Sequence, residues 1–223
     1  MAMKAQTYPS PPFSTRGLGP CELSCSYSTY YGHYHLWVFW SICGNDEVQC
    51  VKPHLVATAN GALIKNKIVY FLRLLLDPLL PRFLVQFWGL VKIGNKMYLT
   101  TCDQPFALKY FGNLEVKQLC EYRKHCLDYL IPVDDDDEIS VDQVQLGPPG
   151  RVFCSGLPEY TFDVRHYTRR EYPQRDCAVD RVKGYWALPI YHPTQHLPSG
   201  VLEIVSTNEF CLRPNGIQAK LRV

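Results

Sequence analysis

The strongest local constraint in this chain is a pair of β-prone runs placed around a Gly-Asn turn. Phe83-Leu84-Val85-Gln86-Phe87-Trp88-Gly89-Leu90-Val91 and Lys96-Met97-Tyr98-Leu99-Thr100-Thr101 flank Ile93-Gly94-Asn95-Lys96. Gly and Asn supply the positive φ values of a tight turn, so the two runs are predicted to fold back as a hairpin. Other segments supply helices and further strands around it. Ala62 to Leu76 reads as a helix that stops before Pro78. Leu114 to Leu127 carries apolar residues at 114, 119, 122, 126 and 127, roughly a helical stripe. Gly147-Pro148-Pro149-Gly150 is a strong breaker, and Pro149 can sit near the first position of a short helix, where its missing N–H costs nothing. Glu171 to Val179 reads as a further helical turn, Gly184 to Tyr191 as a strand, His192 to Gly200 as a turn-rich loop, and Gly200 to Ser206 as a last strand alternating apolar and polar in its middle. This order implies an α+β fold, with an antiparallel sheet and helices packed on one face.

The chain divides by composition. Pro, Ser, Tyr and Gly dominate Tyr8 to Gly32, and an aromatic knot follows, Tyr34-His35-Leu36-Trp37-Val38-Phe39-Trp40. The knot reads as one strand with no evident partner. Residues 1–60 are expected to be a poorly ordered N-terminal segment, residues 61–207 the folded domain, and residues 208–223 a C-terminal tail. The acidic run Asp134-Asp135-Asp136-Asp137-Glu138 is expected to be a solvated loop, because adjacent like charges repel. It lacks the alternating ligands and Gly bend of a calcium loop.

Charge and cysteine usage narrow the function classes. Lys plus Arg number 23 and Asp plus Glu 21, a net charge of +2. That balance lacks the broad basic footprint of a nucleic-acid-binding domain, so no direct DNA binding is expected. No uninterrupted run of about 18 apolar residues is present, so no membrane association is expected. The N-terminus has no apolar signal-peptide core, and the ten cysteines therefore read as free thiols.

Few motifs point to chemistry. Cys21, Cys25, His33, His35, Cys43 and Cys50 have spacings that match no standard zinc knuckle, and no metal is expected. Cys177 with His166, or Cys154 with His192, could pair as nucleophile and base, but no protease signature surrounds them. There is no Gly-x-Ser-x-Gly elbow, no phosphate-binding glycine loop and no His-Glu-x-x-His, so no catalytic residue and no cofactor are assigned. Arg151 stands out. It follows the Gly-Pro-Pro-Gly breaker at the start of a short helix, where it either helps hold an anion or bridges to a carboxylate such as Asp163 or Glu159. Arg165, Arg169, Arg170, Arg175 and Arg181 are interleaved with Glu171, Asp176 and Asp180, which reads as a charge-laced surface.

The segments from Phe83 to Thr207 resemble, in order, the first GAF-like domain of plant NIN-like proteins, the RWP-RK transcription factors of nitrate signalling. The pieces that carry the resemblance are Gln86-Phe87-Trp88, Tyr98-Leu99-Thr100-Thr101, Gln104-Pro105-Phe106 and Leu146-Gly147-Pro148-Pro149-Gly150-Arg151-Val152-Phe153. Leu157-Pro158-Glu159-Tyr160, Glu171-Tyr172-Pro173, Arg175-Asp176-Cys177-Ala178, Ala187-Leu188-Pro189 and Gly200-Val201-Leu202-Glu203 complete the series. Cys177 stands where the family commonly has histidine, and residues 1–60 carry no such resemblance.

The resemblance implies a GAF-like domain acting as a regulatory or sensor module in the nucleus or cytoplasm, with other NIN-like proteins as partners and a small anion, nitrate, as ligand. It further implies a chain truncated before the family's RWP-RK and Phox-Bem1-type domains and lacking the second GAF-like copy that holds the family's nitrate contacts. Only Tyr172 falls on a position equivalent to those contacts. Gly150, Arg151 and Tyr172 are thus the candidate anion site. The family's closing helix is expected to be lost at Pro214-Asn215-Gly216, exposing part of a sheet face. A ligand-free structural remnant that competes for NIN-like partners is the alternative.

Overall fold

In the computed structural model, residues 23–31, 34–41, 82–102, 104–110, 113–133, 146–191 and 198–208 are described. The helix expected over 62–76, the acidic run 134–138 and the closing tail 209–223 lie outside the described residues. So do the side chains of the Cys21-to-Cys50 constellation.

The predicted hairpin is present. Strand β3 (Phe83–Ile93) turns at Gly94 into β4 (Lys96–Thr100). Gly94 has φ +62°, the left-handed conformation that the turn requires and that a side chain would resist. The remaining elements in chain order are β1 (Leu23–Tyr31), β2 (Tyr34–Ser41), β5 (Phe106–Tyr110), α1 (Asn113–Leu127), β6 (Ile131–Pro132), α2 (Pro148–Ser155), β7 (Glu159–Thr161), a 3₁₀ turn (Val164–His166), α3 (Arg175–Ala178), β8 (Gly184–Tyr191) and β9 (Pro198–Ser206). Among the described residues all strand pairings are antiparallel, in the order β1-β2-β5-β3-β9-β8-β7, and β4 and β6 extend from the far half of β3. The aromatic knot at 34–40 is strand β2, and its partners are β5 and β1.

β3 organises the sheet because it is long enough to serve several neighbours. Its first four residues pair with β5, its last five with β4, and on its other edge Phe83 to Gly89 pair with β9. Side chains alternate along a strand, so Leu84, Gln86 and Trp88 share one face. That face carries the main core with Leu99, Phe106, Leu108, Val201 and Val205, closed by Leu119, Tyr122 and Cys126 of α1 and Val152 and Phe153 of α2. The fold is α+β with an antiparallel sheet, and the described helices cover this one face. The opposite face, with Phe83, Val85, Phe87, Leu202 and Ile204, is buried as well, so the expected exposed sheet face is not seen there.

Helix α2 starts where the sequence places it. Gly147 is its N-cap and Pro148 opens the helix. Gly156, at φ 67°, ends it in the left-handed conformation with its N–H on the Val152 carbonyl at 2.9 Å. A Cβ on Gly150 would sit 2.9 Å from Ile131 Cγ2 and 3.0 Å from Leu146 Cδ2, so the absent side chain lets the helix rest directly on β6.

Candidate functional site

One register row crosses the sheet and organises its polar chemistry. Phe106 of β5 pairs with Gln86 of β3, Gln86 with Glu203 of β9, Glu203 with Ala187 of β8, and Ala187 with Glu159 of β7. Paired residues on adjacent strands point to the same side. Two carboxylates, Glu203 and Glu159, therefore stand on the helix-covered face with a small alanine between them. A helix arginine stands near each: Arg151 binds Glu159 directly, and Arg123 reaches Glu203 only through Gln86.

The inner carboxylate is sealed. Glu203 has no exposed surface, and neither has Gln86. Gln86 Nε2 donates to Glu203 Oε2, Trp88 Nε1 donates to the same oxygen at 3.0 Å, and the Tyr122 hydroxyl donates to Oε1 at 2.9 Å. The Tyr122 and Tyr172 hydroxyls are hydrogen-bonded to one another. The Tyr185 hydroxyl, in the same core, is buried without a hydrogen-bond partner among the described residues. Arg123 lies behind this group. Its Nη1 donates to Gln86 Oε1 at 2.9 Å, its Nη2 to the Thr101 and Gln104 carbonyls at 3.2 and 3.3 Å, and its guanidinium stacks 4.0 Å from the Phe106 ring centroid. Burial penalises each charged form here. It raises the Glu203 carboxyl, raises the Tyr122, Tyr172 and Tyr185 phenols, and pulls the Arg123 guanidinium down to about 10.

The outer carboxylate is clamped at the rim. Arg151 meets Glu159 through Nε–Oε2 at 3.0 Å and Nη2–Oε1 at 2.6 Å, the bidentate arrangement in which arginine binds carboxylate best. Its Nη1 donates to the Leu146 carbonyl at 2.8 Å and to the Glu171 carbonyl. The Tyr167 hydroxyl donates to Glu159 Oε1 at 2.7 Å, and the Arg151 guanidinium lies 5.7 Å from the Tyr167 ring centroid. Burial works against the Arg151 charge, but the Glu159 hydrogen bond and charge outweigh it and hold the guanidinium above its usual value.

The three candidate anion-site residues are thus neighbours with different surroundings. Gly150 is buried under Leu146 and Ile131, Arg151 is committed to Glu159, and Tyr172 is buried with its hydroxyl on Tyr122. Tyr172 and Tyr167 pack edge to face at 5.6 Å, which joins the rim clamp to the sealed network. The sequence reading missed the centre itself. In the sequence Gln86 and Glu203 are part of the motifs that carry the family resemblance, and Arg123 lies inside an apolar stripe. The available signal is a lone polar residue inside each of two apolar runs, Gln86 within Phe83–Val91 and Glu203 within Val201–Val205.

Other candidates resolve simply. Arg165 pairs with Asp163, Arg169 with Asp176 at 3.1 Å, and Arg181 with Glu121 at 3.3 Å, a charge-laced surface. Burial pushes the Cys120 thiol up to about 11 and the Cys126 thiol higher still, the reverse of an activated nucleophile. Among the described residues no group of three His, Cys, Asp or Glu side chains could hold a metal ion, and no helix is long and apolar enough to cross a membrane.

No family model matches the chain. Curated relatives do. Protein NLP7 of Arabidopsis thaliana is 35% identical over 153 residues, which is 68% of this chain and 15% of that protein. Protein NLP1 of Oryza sativa subsp. japonica is 35% identical over 127 residues, 56% of this chain and 12% of that protein. Protein NLP1 of Arabidopsis thaliana is 38% identical over 128 residues, 57% of this chain and 13% of that protein. The matched region is thus a small part of each relative's length. A solved GAF domain region from Geobacter sulfurreducens PCA is similar over 71% of this chain and 90% of that one, at TM-score 0.35 and 16% identity. With 31–38% identity to several NLP proteins of Arabidopsis and rice, the chain belongs to the NIN-like protein family.

Proposed function

We propose that this chain is a non-enzymatic regulatory module of nitrate-responsive transcription, acting in the nucleus by packing against, or competing with, other parts of NIN-like proteins. The observation that carries this reading is the match to NLP proteins over the GAF-like domain, in a chain whose Glu203 and Arg151 are both held by internal hydrogen bonds. In this reading the chain does not itself bind DNA: its net charge is +2, and Arg151, Arg165, Arg169 and Arg181 all face carboxylates. A mobility shift on nitrate-responsive promoter DNA that survives moderate salt overturns that point.

Sensing would use Gly150, Arg151 and Tyr172, with nitrate taking the place of the Glu159 carboxylate on Arg151. Titration calorimetry with nitrate tests it. Heat in the wild-type chain that disappears in Arg151→Ala supports sensing. The absence of heat from a well-folded sample favours the second reading, a ligand-free module that acts through NIN-like partners alone. The specific observation behind this second reading is that Nε, Nη1 and Nη2 of Arg151 all donate to groups of the chain itself. Capture of a full-length NIN-like protein by the wild-type chain tests the partner claim, which fails if purified proteins show no association.

A further inference from the structure

The hydrogen-bond partners of the Glu203 carboxylate are all donors. Gln86 Nε2 and Trp88 Nε1 come from β3 and the Tyr122 hydroxyl from α1. The directions of the bonds made by Arg123, Gln86 and Trp88 are fixed by chemistry. Guanidinium and indole groups only donate. Because Arg123 donates to Gln86 Oε1, the Gln86 amide must turn its NH₂ toward Glu203, and it passes the influence of the positive charge inward. Because Tyr122 donates to Glu203, the hydroxyl of Tyr172 is left to donate to Tyr122. Donors converging from separate elements, backed by a cation and closed to water, are the makings of a site for a small planar oxyanion.

We propose that Gln86, Trp88 and Tyr122, backed by Arg123, form a carboxylate-binding cage that Glu203 fills in cis. The ligand class is a small monocarboxylate, and the chain carries that ligand on its own strand. The cage ties α1, through Tyr122, to the sheet, and through Tyr172 it holds the segment that bears the Arg151 clamp. Its occupancy therefore sets the docking of both. This inference does not depend on nitrate sensing or on NIN-like partners.

Two measurements on the full chain test it. The first is a pH titration of ¹³C-carboxyl-labelled glutamate by NMR, with the Glu203 signal assigned by its loss in Glu203→Gln. An ionised Glu203 at pH 7 is expected, and a protonated one overturns the cage. The second is thermal unfolding of Glu203→Ala in sodium formate, in sodium acetate and in sodium chloride of equal ionic strength. Formate or acetate should raise the transition saturably by several degrees over chloride, with no such rise in wild type or Glu203→Gln. If the variant is unfolded in chloride, recovery of its near-ultraviolet circular dichroism in formate or acetate is the expected result. Equal behaviour in all three salts, folded or unfolded, overturns the proposal.

Discussion

Arg123 and Arg151 do similar work on the same face of one sheet, with opposite electrostatic outcomes. Both come from helices, both serve a residue of the same register row, and both make three or more hydrogen bonds. Arg123 is wholly buried and reaches its carboxylate only through the Gln86 amide, so desolvation dominates and its pKa falls to about 10. The Arg151 side chain is 33% exposed and meets Glu159 directly, so its pKa rises. A buried cation without a direct counter-ion is tolerated only when most of its donors are satisfied, and it becomes costly to disturb. A rim cation with a bidentate partner is easier to remove, because water can replace what is lost.

The comparison is sharpest at Arg123. Arg123→Ala should destabilise the fold by about 3–5 kcal/mol, because it strips the Gln86 oxygen and two carbonyls of their donor and leaves a cavity over Phe106. Urea unfolding measures it, and a loss no larger than that of Arg151→Ala would erase the distinction between core and rim. Gly150→Ala comes next, at about 1–3 kcal/mol, since the added methyl meets Ile131 and Leu146 in a packed interior. An unchanged midpoint would mean that α2 does not rest tightly on β6.

Arg151→Ala is expected to cost about 1–2 kcal/mol, a discount on a fully buried pair because a third of the side chain is in water. Its signature is also local: faster hydrogen exchange in α2 and 167–174 with α1 unaffected. Equal acceleration in α1 would show the two regions to be one cooperative unit.

The smallest effect belongs to Asp163, whose carboxyl is held down at about 2, chiefly by the Arg165 hydrogen bond. Its folded-state pKa lies below the unfolded value of about 3.9, so its contribution is full above that value and is lost as pH falls toward 2. Asp163→Asn should flatten the acid limb of stability between about pH 4 and pH 2. Glu203 has the opposite sign. Its pKa is raised, so protonation favours the folded state and its contribution fades as pH rises through the folded value. An acid limb identical in Asp163→Asn and wild type would remove Asp163 from this account.

Much of the fold is legible because it is local. The Gly94-Asn95 turn, the helix start at Gly147-Pro148 and the 184–191 strand follow from φ preferences and short-range pattern. Even so, locality has limits. The alternation in β9 shows a polar residue at 203, yet both faces of that strand are buried. Only the covering helix decides that Glu203 points into protein rather than water. Arg151 illustrates the same limit: its sequence context admits either an anion or a nearby carboxylate, and the pairing of β7 with β8 brings Glu159 to it.

By itself, then, the sequence determined the hairpin, the helix boundaries that glycine and proline set, the α+β class and the family. Those depend on backbone preferences and on the order of motifs along one chain. The tertiary structure alone decided the register that aligns Gln86 with Glu203 across 117 residues, the depth at which Arg123 is buried, and the choice of Glu159 as the partner of Arg151. Burial and hydrogen-bond partnership belong to the assembled sheet. They arise only when strands far apart in the chain bring their side chains to one face and a helix closes over them.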